Sequence, residues 1–185
     1  FASGIADDDR LIRLLKVSRA VCIHMCAALE PHYIELFAKL AGKPVFPPRS
    51  VVFVGFGSET KISKEQIHEI AYGVELSDVP FIWALRKPDE NCDDDKLLPL
   101  GFRQRTAEQG LVQLGWAPQR EILMHPSIGG SLFHAWWGSI IETMQYGHVL
   151  VLLLFVFDQP LNAKVIVEKG LGIEVERDEE DGSLN

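Results

Sequence analysis

Cysteine is scarce in this chain. Three in 185 residues, an odd number, exclude a framework of paired disulfides and fit a reducing, cytoplasmic compartment. A basic surplus is absent too. Lysine and arginine total 18 against 26 aspartates and glutamates, a formal net charge of −8, so there is no electrostatic footprint for a nucleic-acid binder. Long apolar runs are also absent. The longest, residues 149–157, is far too short to span a bilayer and suits a fully buried strand. No signal-peptide pattern is visible, but the chain begins at Phe1 rather than methionine, so this excludes nothing. No internal repeat or low-complexity segment occurs. The acidic runs at 7–9, 93–95 and 178–181 read as solvated loops.

What is present is ordinary globular composition, 47% hydrophobic and 24% charged. The length suffices for one full domain plus a remainder. Apolar spacing predicts helices over 9–19 and 30–41 around a short strand at 20–26. Residues 43–50 hold three prolines and form the best linker candidate. Strands follow at 51–56 and 79–85, separated by a helix at 63–75 whose Ser63 and Gln66 have capping-box spacing. A polar loop covers 87–99. Short strands at 110–114 and 129–133 alternate with helices at 119–124 and 139–146. The buried strand 149–157, a helix at 159–169 and a strand at 172–175 complete the pattern. Such alternation predicts an α/β fold, a Rossmann-like parallel sheet with helices on both faces. Ligands of such sheets sit at the carboxyl ends of the strands against helix N-termini. Two turns qualify: Gly55–Ser58 and His134–Ser139.

Gly55-Phe56-Gly57 supplies two glycines of a dinucleotide fingerprint, but Lys61 stands where the third belongs and no ribose-binding acid follows the second strand. A dehydrogenase is therefore disfavoured. Cys22, His24 and Cys26 alternate along one strand, yet no fourth ligand is suggested. Soft apolar packing is preferred there to zinc.

Residues 116–159 carry a denser pattern: Trp116-Ala117-Pro118-Gln119, His125-Pro126, Gly129-Gly130, His134, Trp137, Ser139, Glu142, Gly147 and Asp158-Gln159. This stretch closely resembles the signature of plant family 1 UDP-glycosyltransferases, the secondary-product glycosyltransferases. Flanking segments SVVFVGFGS, FIWALR and LPLGFRQRT are similar to the same family's donor-binding domain. The resemblance implies the C-terminal domain of a GT-B fold, with residues 1–44 as a remnant of the N-terminal acceptor domain, 45–50 as linker and 51–185 as an incomplete donor domain.

By that resemblance Trp116 stacks the uracil, with Ala117 beside it. Gln119 and Glu142 hold the ribose. Ser58, His134, Trp137, Gly138 and Ser139 surround the diphosphate at a helix N-terminus, a natural anion site. Asp158 and Gln159 hold the sugar hydroxyls, with Gln159 favouring glucose. Residue chemistry alone leaves other roles open: a core tryptophan at 116, dipole placement for Glu142 and an N-cap at 158 or 159. The implied reaction is inverting transfer of a hexose from UDP-glucose or a related UDP-sugar to a hydroxyl of a small-molecule acceptor, with no metal and no cofactor. None of the six histidines matches the family's general base, which the resemblance places in the N-terminal domain. A non-catalytic UDP-sugar-binding fragment is the alternative. Four residues depart from the family pattern. Ala135 stands where cysteine is usual, Trp136 for glycine, Gly138 for asparagine and Leu154 for proline. A tryptophan is expected to be strained if position 136 needs a positive φ.

Overall fold

The computed structural model describes residues 21–22, 31–43, 45–57, 60–88, 94–155 and 159–176. The expected helix over 9–19, His24, Cys26, Ser58 and Asp158 lie outside them. In chain order the elements are β1 (Val21–Cys22), α1 (Pro31–Ala41), β2 (Val45–Phe46), β3 (Val51–Gly55), α2 (Lys64–Leu76), β4 (Phe81–Leu85), α3 (Asp94–Leu97) and α4 (Phe102–Arg105). They continue with β5 (Gly110–Leu114), α5 (Gln119–Leu123), β6 (Ile128–Phe133), α6 (Trp137–Met144), β7 (Val149–Leu152), α7 (Gln159–Glu168) and β8 (Gly172–Glu174).

Six strands form one sheet in the order β5-β4-β3-β6-β7-β8, every neighbouring pair parallel. Their side chains explain why both faces are covered. Along β4, Phe81, Trp83 and Leu85 enter one cluster with Ile67, Ile70, Ala71 and Val74 of α2 and with Phe102. The alternate residues Ile82 and Ala84 pack on the opposite cluster, with Val51, Phe53, Leu123 and Ile128. A third cluster joins Phe133, Leu150 and Leu152 to Ile140 of α6 and to Ala163 and Ile166 of α7. A strand with apolar residues on both faces demands a helix layer on each. No helix among the described residues is long and apolar enough to cross a membrane.

Local signals work where they are chemical. Ser63 caps α2: its hydroxyl accepts from Gln66 N, and the Gln66 side chain accepts from Ser63 N at 2.9 Å. Within the expected linker 45–50, β2 pairs with β1, and Phe46 is buried in the cluster of Val51, Phe53 and Leu123. Two expectations need correction. The apolar run 149–157 is not one strand, because β7 ends at Leu152. Leu153 and Phe155 leave the ladder but pack on the cluster around Trp83, so the run encodes burial rather than extended backbone. The loop 87–99 holds α3, whose Leu97 is fully buried.

Gly129 at the start of β6 is fixed by close approach: a side chain there would collide with the Arg49 carbonyl. Just before β7, buried His148 pairs with Ser131 Oγ at 2.8 Å. Burial holds its imidazole below the usual histidine range, opposed by a hydrogen bond to the Leu123 backbone.

Candidate functional site

The strand order reverses between β3 and β6. One half of the sheet grows outward from β3 through β4 and β5, the other from β6 through β7 and β8. Chains leaving the carboxyl ends of β3 and β6 therefore diverge and open a crevice. Both candidate turns meet at this point. Phe56 and His134 rings lie 6.5 Å apart. Gly57 has φ +68°, and a Cβ on it would sit 3.4 Å from His134 Cε1. Any larger residue at 57 would be strained in backbone and pressed against the imidazole.

The turn after β6 is built by three residues. His134 is buried at 6% exposure. Ala135 takes φ +57°, an uncommon left-handed conformation for a residue with a side chain. Its carbonyl accepts from Asn162 Nδ2 at 3.1 Å, tying the turn to α7. Trp136 is the N-cap of α6 with φ −69° and ψ 132°. The expected strain is therefore absent at Trp136 and falls on Ala135 instead.

Helix α6 begins at Trp137, two residues before the expected start, so Ser139 sits at its third position. The first intrahelical bond runs from Ile140 N to the Trp136 carbonyl at 3.0 Å. The amides of Trp137, Gly138 and Ser139 precede it and have no partner within the helix. The N-cap side chain makes no capping bond, and the first turn contains no acid. Backbone donors and the positive end of the helix dipole thus point at the crevice beside His134. The Ser139 carbonyl accepts from Thr143 Oγ1 at 2.7 Å.

A second approach comes from β5. Gly115, at φ +82°, donates its N–H to the Leu85 carbonyl and turns the chain. Trp116 follows with 74% of its surface exposed, which excludes a core role; Trp83 is the fully buried tryptophan. The Ala117 carbonyl accepts from Gln119 N at 2.8 Å. Gln119 opens α5, and its Nε2 donates to Glu142 Oε2 on α6 at 3.0 Å. Two residues 23 apart in sequence are thereby joined across two helices. Glu142 is one turn beyond Ser139, so the carboxylate lies along the helix from the anion-facing amides.

Two described candidate side chains remain. Trp137 is half exposed on α6. Gln159 is almost fully buried, and its Oε1 accepts from Phe155 N at 2.6 Å. That bond closes the loop upstream of α7, whereas an N-cap side chain would bond forward to the second or third helical amide. Two contributors escaped sequence reasoning. Asn162-Ala163 is similar to the family's donor domain, but nothing in the sequence signals that Asn162 anchors Ala135. The left-handed turn at Ala135 was likewise invisible, because alanine has no preference for it. Among the described residues, no group of three or more His, Cys, Asp or Glu side chains is placed to hold a metal ion.

Comparison with known proteins adds independent observations. The family model described as UDP-glucoronosyl and UDP-glucosyl transferase matches residues 22–180. A flavanone 7-O-glucoside 2''-O-beta-L-rhamnosyltransferase of Citrus maxima is 37% identical over 96% of this chain and 46% of its own length. UDP-glycosyltransferase 91A1 of Arabidopsis thaliana is 46% identical, with 97% of this chain and 44% of its own covered. A soyasaponin III rhamnosyltransferase of Glycine max is 49% identical over 73% of this chain and 28% of its own. Among solved structures, a UGT transferase of Siraitia grosvenorii in complex with UDP superposes with a TM-score of 0.65 at 30% identity. That match covers 94% of this chain and 49% of the other. The chain thus spans about half the length, or less, of these relatives.

Proposed function

Because this chain belongs to the UDP-glucoronosyl and UDP-glucosyl transferase family, we propose that the crevice between β3 and β6 is the donor site of a UDP-sugar-dependent glycosyltransferase. The Gln119–Glu142 hydrogen bond carries the reading. It pre-positions a carboxylate and an amide side by side, the pair of groups that two neighbouring ribose hydroxyls would engage.

The remaining roles are those that the resemblance to the family implies. Trp116 offers an exposed indole face on which uracil stacks. Ala117 continues the same edge. The helix amides at Trp137, Gly138 and Ser139, with His134 and the Ser139 hydroxyl, hold the diphosphate. By the same resemblance Ser58 contributes a further phosphate contact, and Asp158 with Gln159 serves the sugar. These groups stabilise the leaving UDP electrostatically, with no metal required. The whole protein then performs inverting transfer of a hexose to a hydroxyl of a small-molecule acceptor. By the family resemblance, its general base lies in the N-terminal acceptor domain. By the family resemblance Gln159 favours glucose as the sugar. Two relatives are named rhamnosyltransferases, so parallel assays with UDP-glucose and UDP-rhamnose decide the donor. The cysteine usage supports a cytoplasmic setting.

Calorimetric titration of the chain with UDP, and with ADP as control, tests the proposal. Saturable UDP binding with distinctly weaker ADP binding is the expected result. A folded chain that binds neither, or both alike, contradicts it.

A further inference from the structure

Trp136 is a large indole, 45% exposed, in the turn that faces the crevice. Two distances locate it. Its ring lies nearly parallel to the His134 imidazole, with centroids 6.4 Å apart and 22° between planes. Its Cδ1 and Nε1 lie 3.7 and 3.9 Å from where a Cβ of Gly138 would stand. The indole therefore reaches from the end of β6 to the first turn of α6, with its N–H edge against the second residue of the helix.

The chemistry of this arrangement is one-sided. A helix N-terminus is ordinarily satisfied by an acceptor, as Ser63 satisfies α2. At α6 the N-cap residue supplies no capping oxygen and the first turn has no acid. Trp136 instead brings an N–H, a group that only donates, to the end where three helix amides already donate. A convergence of donors is useful only to an external acceptor, and an anion fits it best.

We propose that Trp136 is a further ligand-binding residue of this site, its Nε1–H donating to the diphosphate of the UDP-sugar. The inference rests on the donor-site reading above and assigns a specific contact within it. The backbone supports the role: Trp136 sits in relaxed extended geometry while Ala135 takes the left-handed turn. The indole is thereby held over the helix end without strain of its own.

Trp136→Phe keeps an aromatic ring beside His134 and deletes the N–H. Titration of the wild-type chain and this variant with UDP and with uridine separates the possibilities. The expected result is about tenfold weaker UDP binding, in line with loss of one hydrogen bond to a charged group, with uridine affinity unchanged. Unchanged UDP affinity overturns the proposal. An equal loss for UDP and uridine also overturns it, because it marks a structural role. If the folded wild-type chain binds no UDP, the donor-site reading itself falls and this contact with it.

Discussion

Trp116→Ala weakens UDP binding about thirtyfold and leaves the melting temperature of the chain nearly unchanged. Two observations set this expectation. The indole is 74% exposed, and it belongs to none of the three buried clusters, so truncation removes no core contact. Stacking of a base on an aromatic side chain contributes about 1–3 kcal/mol by alanine substitution, and about 2 kcal/mol corresponds to roughly thirtyfold in affinity. Titration with UDP and a thermal melt of the same samples check both halves. A variant that binds UDP normally removes Trp116 from the site. A variant that melts far below wild type shows a packing role that the exposure does not support.

Trp83→Ala has the opposite signature. Trp83 is fully buried on β4, meets Phe102 edge-on at 6.4 Å and sits among Val54, Ile67 and Val112 in the largest cluster. Removing a buried tryptophan typically costs about 3–5 kcal/mol, a large share of the roughly 5–15 kcal/mol that holds a domain folded. Urea denaturation is expected to show a midpoint shifted sharply down. Trp83→Phe is expected to cost far less, because the Trp83 Nε1–H has no hydrogen-bond partner to lose. Equal losses for alanine and phenylalanine would mean that the cluster depends on the full indole outline rather than on apolar filling.

The two tryptophans show what sequence reading reaches. Alternation of strands and helices gave the parallel sheet, because β-branched and aromatic runs bounded by turn residues have few other uses. The family resemblance assigned Trp116, Gln119, His134, Ser139 and Glu142 to one ligand site. The structure supplied the bond between Gln119 and Glu142, which no spacing states. Boundaries failed where one signal served two purposes. The run 149–157 is apolar because Leu153 and Phe155 are needed in the core beyond the strand end, not because the strand is long. Prolines at 44, 47 and 48 suggested a linker, yet Phe46 between them is a core residue. Composition reports turns well, but burial is decided by what folds back on the segment.

The turn at His134 was the hardest part to read. A tryptophan in place of a glycine suggested strain at position 136, but the left-handed residue is Ala135. Which residue of a turn absorbs the positive φ depends on how the next helix is docked, here through Asn162 and the Ala135 carbonyl. That docking is a tertiary fact with no local trace.

A crystal structure of this chain bound to UDP tests the central assignment most directly. Uracil stacked on Trp116, ribose on Gln119 and Glu142, and diphosphate at the start of α6 beside His134 and Trp136 is the expected result. UDP seated instead on the Lys61, Arg86 and Lys87 side of Phe56 and Gly57, in the cavity of about 170 Å³ at the ends of β3 and β4, with no contact to Trp116, Gln119 or Glu142, would contradict it.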